Sequence, residues 1–354
     1  MHRRPAMKIL AIDLGKNKSV ACVYEAETAA HRYMTLQSTP SVLHDLIAGE
    51  APARVVIEVG STAGWVCDLC RAMGVEIQVA NPNGEAWHWK NVKRKTDRDD
   101  ALKLARLSVM NQLGPLVHMP TPQVRAWRET IEHRHTLVGR RTAIKNSIRA
   151  LLTRRAIPWP TGTAGWSLAK KRELKVLAAG EDGAPWRRVL GLELEQLKTL
   201  DACVRAADKE LDAIAAQDQR VALLRTVPGV GPRLAETVVA VIDNPHRFGS
   251  GRKVGSYAGL TPRQHQSGDQ NRQGRISRRG HRLLRSLLVE AAWMGLRRSP
   301  WMRAVFQRAQ GGKSSRKRIA IVALARRLLI VCWAMLRDQT PWRGDQEVKL
   351  KLAA

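Results

Sequence analysis

"KILAIDLG" (residues 8–15) and "ARVVIEVG" (residues 53–60) each end an apolar run on one carboxylate, Asp13 and Glu58, just before a glycine. Short apolar runs bounded by turn residues read as buried strands. A lone acid inside such a layer is costly unless it leaves the layer or meets a cation. Between the two runs, "SVACVYEA" and "RYMTLQS" continue as strands joined by short turns, and "SVLHDLI" reads as a short helix. After them come a helix, "AGWVCDLCRAMG", and a strand, "VEIQVANP".

A final helix begins in "KTDRDDALKLARL" (residues 95–107), where three aspartates fall within four positions. Three strands in a meander, then helix, strand, helix, strand and helix, is the element order of the ribonuclease H fold, a mixed sheet with helices on both faces. In that topology the strands ending at Asp13 and Glu58 are neighbours, and the last helix crosses beside them. Asp97 and Asp100, three residues apart, share a helical face, whereas Asp99 points away. Asp13, Glu58, Asp97 and Asp100 therefore form a candidate cage for one or two Mg²⁺, with Mn²⁺ able to substitute. The competing reading keeps these acids structural, as caps and as favourable charges at a helix N-terminus.

The 354 residues carry 60 Lys and Arg against 31 Asp and Glu, a net charge of +29. That field favours a polyanion, nucleic acid above all, with salt-dependent affinity. Five cysteines make an odd count in apolar patterns, which reads as buried thiols in a reducing compartment. Cys67 and Cys70 form a C-x-x-C without a second ligand pair, a spacing that one helical turn explains. The N-terminal apolar run is broken by Asp13, which argues against a signal peptide. No stretch reads as a membrane span, so the expected location is cytoplasmic, with no membrane partner.

From about 121 to 220 the strand signal disappears. "RAWRETIEHRHTLVGRRTAIKNSIRALLTRR" and "LELEQLKTLDACVRAADKELDAIAA" are long amphipathic helices, the first with a dense basic face. Joined by a Pro/Gly/Trp-rich link (158–186), they read as an antiparallel coiled-coil hairpin able to dimerise, although packing within one chain explains the apolar stripe as well. "LLRTVPGVGPRLAETVVAVI" has Gly229 and Gly231 between two apolar helices, a helix-hairpin-helix pattern that aims amides at a phosphate. An ordinary Gly/Pro turn is the plainer alternative. "GLTPRQHQSGDQNRQGRISRRGHR" (259–282) reads as a polar, glycine-rich, basic loop, and apolar helices interrupted by arginine close the chain. The fold class is thus α/β followed by α.

"AIDLGK", "VVIEVGSTAGW", "KTDRDDALKLARL", "VPGVGP" and "YAGLTPRQHQSGDQNRQGRISRRGHRLLRSLLVEAA" together resemble the DEDD-type transposases of bacterial insertion sequences, the insertion sequence 110 family, which includes the Piv-type invertases. The resemblance implies a RuvC-like domain (1–118) whose D, E, D and D fall on Asp13, Glu58, Asp97 and Asp100. It implies a helical coiled-coil region (119–220), then a C-terminal transposase domain (221–345) whose nucleophilic serine is Ser267, with 346–354 as a tail. It further implies DNA cutting and rejoining through a 5′-phosphoserine, guided by a structured bridge RNA that pairs with donor and target DNA, in a dimer or tetramer. Asp99 departs from the family wording, which has an apolar residue there.

Lys95, Arg98, Arg263, Arg272, Arg275, Arg278 and Arg279, with the amides at Gly229 and Gly231, are the expected nucleic-acid contacts. Ser277 is the rival nucleophile, and His265 has no assigned role. Three alternatives stand beside this reading. A hydrolytic junction resolvase would use metal-activated water, a basic nucleic-acid-binding protein would have no catalysis, and an actin-like sugar kinase would answer to "AIDLG" but lacks a second phosphate motif.

Overall fold

Eight elements build the N-terminal part in the order read from the sequence: β1 Lys8–Asp13, β2 Lys18–Glu25, β3 His31–Gln37, α1 Pro40–Glu50, β4 Arg54–Glu58, α2 Ala63–Ala72, β5 Glu76–Ala80 and α3 Asp97–Val109. The computed structural model describes residues 7–82, 96–267 and 270–346. The chain divides into two compact units, residues 1–123 and 124–354.

The sheet of the first unit runs β3-β2-β1-β4-β5, with β1–β2 and β2–β3 antiparallel and β1–β4 and β4–β5 parallel. Period-two alternation gives it two faces. Leu10, Ile12, Val55 and Ile57 pack with α1 and α2 through Leu43, Ile47, Val66, Cys67 and Cys70. Ile9, Ala11, Cys22 and Val56 pack on the other side with Ala101, Leu104 and Ala105 of α3. The C-x-x-C is one turn of α2 facing the core, where burial pushes the Cys70 thiol up to about 12. Cys203 departs from the expectation of buried thiols, because it lies on an exposed position of a long helix.

In the second unit, α4 Pro122–Thr153 and α6 Pro185–Ala216 are antiparallel partners. Arg134 meets Asp208 at 3.0 Å, Arg141 meets Asp201 at 3.6 Å, and the Ser147 hydroxyl donates to Glu193 at 2.7 Å, so residue numbers rise on one helix as they fall on the other. Leu137 packs with Val204, and Ile148 and Leu152 pack with Leu190 and Leu197. The Pro/Gly/Trp-rich link between the helices contains a helix that the sequence reading did not name. It holds α5, Leu168–Ala178, capped by the Ser167 hydroxyl and anchored by fully buried Leu174, a helix too short and too basic to show an apolar stripe.

Next come α7 Gln219–Arg225, α8 Pro232–Ile242, α9 Gly251–Tyr257, β6 Pro262–Ser267, β7 Gln270–Ile276, α10 Arg282–Gly295, α11 Pro300–Gln310 and α12 Lys317–Asp338. Two expectations fail here. The 259–282 stretch is not a loop but carries the antiparallel hairpin β6–β7, whose described residues up to Arg275 are mostly exposed. Among the described residues the hairpin shows no face buried along its length, so no apolar alternation announces it. The helix spanning Ser314–Asp338 is long and apolar enough to cross a membrane by length and composition, contrary to the sequence reading. Its apolar residues, including Leu324, Leu328, Leu329, Cys332 and Leu336, lie in the protein core against α7–α10.

Candidate active site

Strand parity decides which way the first two acids face. Ile9 and Ala11 lie on the α3 side of the sheet, so Asp13, two residues on, falls on that side; Val56 does too, and therefore so does Glu58. The β1–β4 register pairs Ala11 with Val56 and Ile12 with Ile57. Its continuation sets Asp13 beside Glu58, on strands about 4.8 Å apart.

Helix α3 carries the other two expected acids in its first turn. Its penultimate residue, Ser108, is held at the start of β4, where Arg54 Nη1 donates to the Ser108 hydroxyl at 3.3 Å, and the hydroxyl donates to Gln78 Oε1 at 2.9 Å. The helix packs chiefly across β1 and β2 with this end beside the start of β4, so its first turn, with Asp97 and Asp100, lies away from the start of β4. Asp97 is exposed and Asp100 is buried.

Asp99 has a separate task that the sequence reading did not assign. Thr96 caps α3: its hydroxyl accepts from the Asp99 amide at 3.3 Å, and the Thr96 amide donates to Asp99 Oδ2 at 3.1 Å, a reciprocal capping box. The Thr96 hydroxyl also donates to Asp99, and these bonds hold its carboxyl below the ordinary carboxylate range. The T-x-x-D spacing was the signal for this role.

The donor set is carboxylate oxygen throughout, which suits a hard divalent cation. Among the described residues, however, no group of three or more His, Cys, Asp or Glu side chains is gathered closely enough to hold a metal ion. What fits such a metal is the chemistry of the donors.

Of the expected nucleic-acid contacts, Arg98 stands over the Tyr33 ring at 5.6 Å, while Lys95 lies outside the described residues. Ser267 is the last residue of β6, paired with Gln270; its side chain, with Gly268 and Asp269, lies outside the described residues. His265 pairs with Arg272 across the hairpin. Arg263, Arg272, Arg275, Arg278 and Arg279 are all exposed. Ser277 follows β7 and donates its amide to the Thr261 carbonyl at 2.8 Å.

Two residues absent from the sequence reading brace this region. Arg285 Nη1 donates to the carbonyls of Ala258 and Gly280, and to that of Arg279 at 3.4 Å. His281 accepts the Leu284 amide on Nδ1, capping α10, while its Nε2 lies 3.2 Å from Glu132 of α4. Burial, and then the nearby Arg128 and Arg285, lower the His281 pKa against the pull of Glu132. Gly229, at φ +87, has a packing reason for being glycine: a Cβ there would stand 2.8 Å from the Ala291 carbonyl and 2.9 Å from the Gly295 amide. Gly231 is the N-cap of α8 and faces open space.

A mixed α/β unit that turns acids toward one end of its sheet, followed by a strongly basic helical unit, is the make-up of an enzyme working on DNA phosphodiesters, a transposase or recombinase. Residues 221–307 match the family model described as "Transposase IS116/IS110/IS902 family", and residues 10–156 match a DEDD-type model described as "Transposase". The chain belongs to this DEDD transposase family of insertion sequences, and membership implies dependence on a divalent metal.

The chain is similar to a probable family 20 transposase of Pseudomonas aeruginosa, 27% identical over 349 residues that cover 95% of this chain and 99% of the relative. It is likewise similar to the transposase for insertion sequence element IS1111A of Coxiella burnetii, 26% identical over 356 residues, 95% of this chain and 92% of the relative. A shorter likeness, 34% over 125 residues, 35% of this chain and 38% of the other, links it to the pilin gene-inverting protein of Moraxella lacunata.

Proposed function

We propose that the protein is an RNA-guided, serine-linked recombinase that moves an insertion sequence, with Asp13, Glu58, Asp97 and Asp100 holding Mg²⁺ and Ser267 as nucleophile. The observation that carries this reading is the β1–β4 register, whose continuation sets Asp13 beside Glu58. On this reading residues 1–118 are a RuvC-like catalytic domain, 119–220 a coiled-coil region, and 221–345 a transposase domain with a helix-hairpin-helix; 346–354 form a tail, of which 347–354 lie outside the described residues.

When bound, the metal polarises the scissile phosphate and neutralises charge on its oxygens. The Ser267 hydroxyl forms a bond to phosphorus as the bond to the 3′ oxygen breaks; the serine loses its proton and the departing oxygen gains one. Arginines 263, 272, 275, 278 and 279 steady the charge that develops. The 5′-phosphoserine keeps the bond energy for rejoining, so exchange needs no nucleotide cofactor. A structured bridge RNA selects donor and target DNA. Four strand cuts call for several copies of the chain, which act in the cytoplasm at the nucleoid.

Replacing Ser267 with Ala is expected to abolish a protein–DNA adduct on a nicked or junction substrate, and Asp13→Asn is expected to abolish Mg²⁺-dependent cleavage while leaving DNA binding intact. An undiminished adduct with Ser267→Ala would remove the serine from the mechanism, and free DNA ends without adduct would favour hydrolysis. Sequencing RNA that co-purifies with the protein tests guidance: a discrete transcript from the flanking element is expected, and random cellular RNA would count against it.

A further inference from the structure

The far end of the α4–α6 hairpin carries a basic face built on tryptophan. Between residues 140 and 188 there are 12 Lys and Arg against 3 Asp and Glu. Lys145 Nζ and Arg149 Cζ stand over the Trp166 ring at 5.1 and 5.2 Å, and Lys170 stands over Trp159 at 4.9 Å. Arg155 and Arg187 both stand over Trp186, at 4.9 and 4.7 Å. Such stacking holds long cationic side chains in place before any ligand arrives.

Along α4, Arg141, Lys145 and Arg149 recur every fourth residue, so they form a row about 6 Å apart. Asp201 takes the charge of Lys171 at 2.7 Å and of Arg141 at 3.6 Å. Lys170 is paired with Glu173 and Arg187 with Asp182, yet the cations of this stretch still far outnumber its acids; burial first, and then Arg141, Lys171 and Arg149, lower the Lys145 pKa against the pull of Asp201. The three tryptophans are half-buried against the Ile148–Leu190 core and carry cations on their faces, which leaves charge rather than open rings to present. Single strands are held chiefly by stacking on open aromatic rings, whereas a duplex is held by its phosphates.

We infer that this hairpin tip is a sequence-independent clamp for the phosphate backbone of duplex DNA, separate from the acids of the first unit and from the β6–β7 hairpin. It rests on the family's action on DNA and not on the serine or metal assignments.

Arg154, Arg172, Lys175 and Arg188 are exposed at the tip and make no side-chain hydrogen bond or ion pair among the described residues. The test uses the full chain with all four replaced by Gln, and measures binding to a duplex of arbitrary sequence across a salt series. For each phosphate no longer neutralised, the plot of log affinity against log salt should become shallower by about 0.9, so by about 3 to 4 for the four together. A charge-keeping variant (Arg154→Lys, Arg172→Lys, Lys175→Arg, Arg188→Lys) should retain the parent slope. An unchanged slope in the Gln variant, an equally shallow slope in the charge-keeping one, or an effect confined to an RNA stem-loop would each overturn the inference. Asp13→Asn should keep the parent slope, so failure of the metal reading is separable from failure of this one.

Discussion

At the scale of single residues, several positions that look functional are first of all structural. Asp99 sits among the aspartates that drew attention to the site, yet its carboxylate closes the capping box with Thr96. Thr96→Ala should cost the first unit about 1 kcal/mol in chemical denaturation; an unchanged midpoint would mean that the cap does not hold α3 in register. The two glycines of "VPGVGP" divide in the same way. Gly229→Ala meets backbone on α10 and a left-handed φ, so a loss of about 1–3 kcal/mol is expected. Gly231→Ala has space and an ordinary φ of −83°. Its unfolding midpoint should stay near that of the parent, which leaves its DNA affinity as a clean report on the phosphate reading. The positions of Asp13 and Glu58 at the ends of β1 and β4 were legible because a charge that breaks an apolar run marks where a buried strand ends.

Among the elements, α4 and α6 owe their pairing to apolar packing with charges at the margin. Leu197 is buried between them with Ile148 and Leu152. Leu197→Ala should lower stability by about 2–5 kcal/mol, measured by thermal or denaturant unfolding of the whole chain. Asp201 is the acid on which the basic face depends. Burial pushes its carboxyl up, but the hydrogen bond from Lys171 and the charges of Lys171, Arg141 and Lys145 outweigh that and hold it below the ordinary range. Its contribution is present above the unfolded carboxylate pKa and is lost as pH falls through the lower folded value. The helices were plain from periodicity, whereas α5 and the β6–β7 hairpin were not. A basic helix with one buried leucine and a hairpin largely open to water leave no apolar pattern to read.

For the molecule as a whole, the second unit buries an acid where α4, α6, α8 and α10 meet. Glu236 of α8 is fully buried, with Arg233 Nη2 2.9 Å from Oε1, and neither carboxylate oxygen receives a well-aligned hydrogen bond among the described residues. Burial pushes its carboxyl up to about 7, opposed by Arg233 and aided by Asp212 and Asp208. A folded pKa above the unfolded one means that the native state binds the extra proton. Stability from this group is therefore complete below the unfolded value near 4.5 and is lost as pH rises through about 7. Glu236→Gln should flatten that fall and make the chain more stable than the parent at pH 8. A parent curve already flat between pH 5 and 8 would mean that Glu236 keeps an ordinary pKa.

The element order of the first unit, the long helices and the basic charge were set by composition and periodicity alone, because buried strands and amphipathic helices write their burial into the spacing of apolar residues. Which end of the sheet α3 turns its aspartates toward, why Gly229 admits no side chain, how α12 is covered, and how cations stack on tryptophans at the hairpin tip were decided only by tertiary packing. Those facts depend on residues far apart in the chain, whose meeting no local pattern records.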